Sequence, residues 1–142
     1  MKPKVVPELD VADLPRALRF YTVVCGFRIV YERPEDAFVY LEREGAELML
    51  EDAAGPGRRF RTAPLTHPFG RGVNLQIEVS DAGALHDSVV ERGVEPLVGL
   101  EHRRYRIGDE EITSEQFVIA DEDGYLLRFF TDRGASATPS PT

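Results

Sequence analysis

The second half of this 142-residue chain repeats the pattern of its first. The first half reads ELDVADLPRALRFYTVVCGF and later FVYLEREGAELMLE; the second reads QIEVSDAGALHDSVVERGV and later FVIADEDGYLLRFF. Each half has the pattern of a strand, a helix and then further strands. In the first, Asp13 is placed to cap a helix whose apolar positions Leu14, Leu18, Tyr21 and Val24 or Cys25 recur at helical spacing until Gly26 stops it. In the second, Asp81 caps, Leu85 and Val89 are the buried positions, and Gly93 stops the helix. Val11 aligns with Val79, Gly26 with Gly93 and Phe38 with Phe117, and the extra residues of the second half fall in a longer loop that holds Asp109, Glu110, Glu111 and Glu115.

The strand parities describe the interior. In GVNLQIEVSD, Val73, Leu75, Ile77 and Val79 share one parity, while Asn74, Gln76 and Glu78 share the other. AELMLED sets Leu48 and Leu50 against Glu47, Met49 and Glu51, and GYLLRFF sets Leu127 and Phe129 against Leu126, Arg128 and Phe130. The apolar parity is where two amphipathic helices dock, which leaves the mixed parity to line whatever the sheet curves around. The predicted fold is α+β: two βαβββ modules forming a curved mixed sheet around a groove, with the helices outside. A single domain over 1–130 is expected, made of module one at about 4–52, a Gly-, Pro- and Arg-rich linker at about 53–71 and module two at about 72–131. A flexible tail is expected over residues 132–142.

Composition narrows the function. Apolar content of 42%, with 8 Phe and 5 Tyr, is enough to fill such a core. A net charge of −8 repels nucleic acid and anionic membrane, so neither is an expected partner. No run approaches the ~18 apolar residues that cross a bilayer. The start MKPKVVPELD lacks the apolar segment of a secretory signal, so a cytoplasmic location is expected. Cys25, the single cysteine, has no partner for an internal disulfide; at the negative end of its helix a thiolate is disfavoured, and it reads as a packing residue. Arg58, Arg59 and Arg61, and again Arg103, Arg104 and Arg106, form two local basic patches in the sequence.

VADLPRALRFYTVVCGF in the first module and VSD, GV and DEDGYLLRFF in the second, across residues 5 to 130, resemble the vicinal oxygen chelate superfamily. That group holds glyoxalase I, extradiol dioxygenases, fosfomycin-resistance enzymes and bleomycin-resistance proteins. In its metal-dependent members four strand positions supply His, Gln or Glu, and the resemblance carries those positions onto Val6, Met49, Asn74 and Arg128. Val offers no donor, Met is soft, Asn is weak when alone, and Arg brings a fixed positive charge. His86 reads as a helix residue, and His67 and His102 as loop residues without a partner at ligand spacing. Neither a metal nor another cofactor is therefore expected.

The missing ligands together with VPELDVADL point the resemblance to the bleomycin-resistance branch. It implies a homodimer whose N-terminal strand crosses to the other subunit, with Pro7 as the strand-exchange hinge; the residue-level alternative is an ordinary edge-strand proline. The function it implies is non-catalytic binding and sequestration of a small-molecule antibiotic, conferring self-resistance or drug resistance. That ligand is a bulky aromatic compound, either a bleomycin-type glycopeptide or an enediyne or mitomycin-type compound able to take a guanidinium on a ring or quinone oxygen. The ligand-binding candidates are Phe38, Tyr40, Phe60, Tyr105, Phe117 and Phe130 for aromatic area, with Glu47, Met49, Asn74, Gln76 and Arg128 on the groove-facing parity. No catalytic residue is assigned. The competing reading is a metal-dependent lyase, isomerase or dioxygenase whose displaced site uses Glu47, Glu51, Glu78 or a loop histidine, and a third is metal-independent acid-base chemistry at Glu78 or Glu51.

Overall fold

The computed structural model describes residues 3–133 and divides into two compact units, one running up to Val73 and taking in Asp121–Tyr125, the other running from Asn74 to Ala120 and resuming at Leu126. The fold is α+β, with one βαβββ module and one four-stranded mixed sheet in each unit. Among the described residues no helix is long and apolar enough to cross a membrane.

In the first unit, strand β1 (Glu8–Val11) leads into helix α1 (Leu14–Arg19), followed by β2 (Arg28–Arg33), β3 (Phe38–Arg43) and β4 (Ala46–Asp52). The sheet order is β1-β4-β3-β2, with β1 parallel to β4 and the other pairs antiparallel. As expected, Asp13 caps α1, its side chain accepting the Arg16 N–H at 3.1 Å. The helix does not continue in α geometry: Phe20–Val24 forms a π-helical turn. Its wider winding turns the buried stripe, which runs through Ala17, Phe20, Tyr21 and Cys25, while Leu14 and Leu18 are only half-buried. These residues and Leu9, Val11, Val39, Leu41, Leu48 and Leu50 form the core of this unit, each large side chain contributing roughly 1.5–3 kcal/mol by leaving water.

The DEDGY segment, read from sequence only as part of a motif, belongs to this first unit. Tyr21 donates to Asp121 Oδ2 at 2.6 Å, and Asp121 Oδ1 accepts the N–H groups of Asp123 at 3.0 Å and Tyr125 at 2.9 Å. Asp123 receives the Ala12 N–H on its carboxylate at 3.2 Å and the Phe69 N–H on its carbonyl at 2.7 Å. Gly124 is required here twice over, by its φ of +91° and because a Cβ would lie 2.3 Å from the Pro68 side chain.

In the second unit, β5 (Asn74–Glu78) precedes helix α2 (Ala82–Glu91), then β6 (Val98–Ile107), β7 (Glu110–Ala120) and β8 (Leu126–Arg133), in sheet order β5-β8-β7-β6. Asp81 caps α2 by accepting the Ala84 N–H at 3.0 Å, and Ala82, Leu85 and Val89 are buried. The long loop expected around Asp109 to Glu115 is instead the extended tip of a hairpin. β6 and β7 stay paired out to Ile107 and Glu110, and Gly108 at φ +63° turns the chain. His102 accordingly sits on a strand, not in a loop. Residues 132 and 133 continue β8, and the rest of the expected tail lies outside the described residues.

Candidate functional site

Each sheet buries one face and leaves the other open, and the open faces carry most of the candidate residues. In the first unit β3 directs Phe38 and Tyr40 to the open face, where they pair with Glu51 and Met49 of β4; Glu47 shares that side, and Glu8 of β1 pairs with Met49. A bulge at Val30 then alters what strict alternation predicts for β2. The register passes from Ile29 opposite Leu41 to Tyr31 opposite Tyr40 and Arg33 opposite Phe38. The extra residue flips the parity, so Tyr31 and Arg33 stand on the open face.

These side chains form a continuous wall. The rings of Tyr31 and Tyr40 stack at 5.0 Å with an interplanar angle of 16°, Tyr31 meets Phe38 at 5.9 Å, and the Arg33 guanidinium lies 4.1 Å over Phe38. Phe38 and Tyr40 are themselves buried, whereas Tyr31 is 42% and Phe60 76% exposed, so the latter two offer the free aromatic surface. Beside the wall is a pocket of about 420 Å³ lined by Glu8, Arg33, Phe38, Glu51, Arg58 and Phe60.

Charges under the pocket are largely paired. Arg59, only 9% exposed, holds Glu51 at 2.6 Å and Asp10 at 3.6 Å, and Arg61 holds Asp10 at 2.9 Å, so the charges of these two arginines are offset by carboxylates. Burial raises the Glu51 carboxyl above its ordinary range, the Arg59 charge opposes that, and the neighbouring Glu8 and Asp10 add to it. The Tyr40 hydroxyl donates to Glu47, and that bond pushes it up to about 12.

In the second unit, Asn74, Gln76 and Glu78 share the open face with Leu126, Arg128 and Phe130. Arg128 donates to the Gln76 side-chain oxygen. Tyr105 donates to Gln116 at 3.1 Å, and Gln116 in turn donates to Glu101 at 3.2 Å. A pocket of about 220 Å³ is lined by Gln76, Tyr105, Ser114, Gln116, Arg128 and Asp132 among others. Asn74 and Phe130 share this face but do not line the pocket; Asn74 is exposed and Phe130 half-buried. Phe117, expected at the ligand face, does not stand there. Its register opposite Phe129 turns it to the helix side, where it is fully buried, stacked on Phe129 at 5.6 Å and met edge-on by His86 at 5.4 Å. It is a core residue and not part of a ligand face.

Sequence reasoning missed Tyr31, Arg33, Ser114 and Gln116. A bulge has no reliable signature in one sequence, so Tyr31 and Arg33 could not be phased from the run RIVYER. Ser114 and Gln116 lay in what read as loop; the alternation of ITSEQF was the available signal.

A family model, the Glyoxalase/Bleomycin resistance protein/Dioxygenase superfamily, matches residues 6–129. The chain belongs to this superfamily. Within it, the chain is similar to the bleomycin resistance proteins of Geobacillus stearothermophilus and Staphylococcus aureus, each 28% identical over 131 residues, with 88% of this chain and 93% of the relative covered. Among solved structures it is similar in fold to TioX from Micromonospora sp. ML1, at 20% identity and a TM-score of 0.72, covering 91% of this chain and 98% of that one.

The superfamily's metal positions do not fit an ion here. The positions that the resemblance carries over are Val6 and the thioether of Met49 in the first unit and Asn74 and Arg128 in the second, where the Arg128 guanidinium is bonded to the Gln76 amide. A fixed cation at a ligand position repels a divalent ion. The histidines are engaged elsewhere: His67 with the Glu122 carbonyl at 3.1 Å, His86 with Asp87 at 3.0 Å, and His102 with Glu115 at 3.0 Å. Among the described residues no group of three or more His, Cys, Asp or Glu side chains is arranged to hold a metal. Cys25 is fully buried and burial pushes its thiol up, which disfavours the thiolate a nucleophile needs.

Proposed function

We propose that this superfamily member binds a bulky aromatic antibiotic and sequesters it unchanged, conferring self-resistance or drug resistance. The observation that supports this most is the arginine-capped aromatic wall of Tyr31, Tyr40 and Phe38 beside a pocket of about 420 Å³. Sequestration needs only a complementary surface, and planar rings stacking on such a wall add roughly 0.5–1.5 kcal/mol per pair beyond burial, toward the ~8 kcal/mol of a micromolar complex. The relatives' designation as bleomycin resistance proteins supports the same class of ligand. Bleomycin-type glycopeptides, enediynes and mitomycin-type compounds form the panel to test.

The working form in this reading is a cytoplasmic homodimer with β1 exchanged between subunits at Pro7. The β1 ladder begins directly after that residue, where the Pro7 carbonyl accepts the Met49 N–H at 2.9 Å. Proline has no N–H to give a ladder and suits such a boundary.

The test is a titration with each antibiotic followed by tyrosine fluorescence, with mass spectrometry of the recovered compound. Saturable quenching, weakened by Tyr31→Ala, and intact antibiotic are expected. Conversion of the compound at catalytic rates, or a near-stoichiometric transition metal in protein purified without a tag, would reject the reading in favour of an enzyme.

A further inference from the structure

The pocket on the open face of the second unit holds more hydrogen-bond donors than the unit itself satisfies. Ser114 lines the pocket; among the described residues its hydroxyl bonds no protein group, and it is not among the buried polar atoms that lack a partner, so it stays accessible from the pocket. An acceptor entering the pocket therefore meets a hydroxyl donor that is already accessible to it. Arg128 has the same character. Its guanidinium donates to the neutral Gln76 side chain, and among the described residues no carboxylate pairs with it. A guanidinium carries five N–H groups, and one amide oxygen satisfies a minority of them. Because Gln76 spends its oxygen on Arg128, what it has left to offer is its NH₂.

Three donors thus share one pocket of about 220 Å³, whose remaining walls include the Tyr105 ring, Ile107 and Ile112. The other polar groups do not compete for the same ligand atoms. Gln116 is bonded on both sides, by Tyr105 and to Glu101. Asp132 lies exposed at the rim, where solvent screens it. A forked cation beside a hydroxyl and an amide donor, walled by an aromatic ring and branched aliphatics, matches a planar oxyanion attached to a ring.

We propose that this pocket is a subsite for the carboxylate of an aromatic acid, the carboxylate lying across Arg128 with Ser114 and Gln76 completing its hydrogen bonds. The assignment goes beyond the binding function above: the pocket lies wholly in the second unit and takes an aryl carboxylate in its own right.

Sodium benzoate, benzamide and benzylammonium chloride are matched probes, titrated into the full-length ¹⁵N-labelled protein and followed by amide chemical shifts. Benzoate is expected to give saturable shifts grouped at Gln76, Ser114, Gln116 and Arg128. Neutral benzamide is expected to bind there at least about tenfold more weakly, and benzylammonium not at all. Arg128→Gln should weaken benzoate by at least about tenfold, and Arg128→Lys, which keeps the charge but not the fork, should fall between the two. Scattered or absent benzoate shifts, equal binding of benzamide, or an unchanged affinity in Arg128→Gln with a native spectrum would each overturn the subsite. An antibiotic that binds with shifts at Tyr31 and Arg33 while benzoate fails would sink the subsite alone. Benzoate binding with no antibiotic of the panel bound would keep the subsite and sink sequestration.

Discussion

The hydroxyl of Tyr21 and the carboxylate of Asp121 form the buried polar pair on which the first unit's packing turns, at 2.6 Å and among the rings of Phe20 and Phe27. Burial holds the Asp121 carboxyl above its ordinary value, and the bonds from Tyr21, Tyr125 and Asp123 partly offset that. A carboxyl raised in the folded state contributes stability in full below its unfolded value and loses it as pH rises through the folded one. Tyr21→Phe removes one of the offsetting bonds and should cost about 1–3 kcal/mol in urea denaturation at neutral pH, with a smaller loss in acid, where Asp121 is protonated. Tyr40 titrates in the opposite range. Its value of about 12 against an ordinary 10.0 means that its contribution is complete below pH 10.0 and disappears as pH climbs through about 12. An absorbance titration of tyrosinate should therefore show several late phenols, since Tyr21 and Tyr125 are also raised, and Tyr40→Phe should remove one of them. At this scale the caps Asp13 and Asp81 were legible in sequence, because capping depends on neighbours three residues away. Phe117 was not, because whether a residue faces core or cavity depends on the register of its strand against a partner that sequence does not name.

Strands and helices were legible to the extent that their periods are regular. The alternation in NLQIE and AELMLED placed core and open faces correctly, and two βαβββ modules followed from the repeat. Two of the departures come from a local insertion or rewinding of the chain. The π-helical turn at Phe20–Val24 moves the buried stripe, and the bulge at Val30 brings Tyr31 and Arg33 to the open face. The bulge also yields a prediction. Deleting Val30 removes the bulge while leaving Ile29 opposite Leu41 and Tyr31 opposite Tyr40, so Tyr31 and Arg33 should stay on the open face. The near-ultraviolet circular dichroism of the Tyr31–Tyr40 stack and the antibiotic-induced quenching should then persist, and their loss would count against this register. Since β2 is an edge strand with all six residues exposed, the variant should still fold.

For the whole molecule, the family match over residues 6–129 agrees with the resemblance seen across residues 5 to 130, while the ligand depends on an open surface that no motif encodes. A homodimer predicts a mass by light scattering of about twice the 15.9 kDa of the chain, and a Pro7 substitution that frees the backbone should shift its dissociation more than the protein's secondary structure. The chain leaves the second unit after Ala120, spends Asp121–Tyr125 completing the first, and returns at Leu126. A gene cut after Val73 would express a leading fragment whose Tyr21, Ala12 and Phe69 donors have lost their acceptors, and a trailing fragment carrying those acceptors with nothing to receive. Despite their likeness, the two repeats should not survive as separate polypeptides, and only co-expression of both pieces should restore a soluble product.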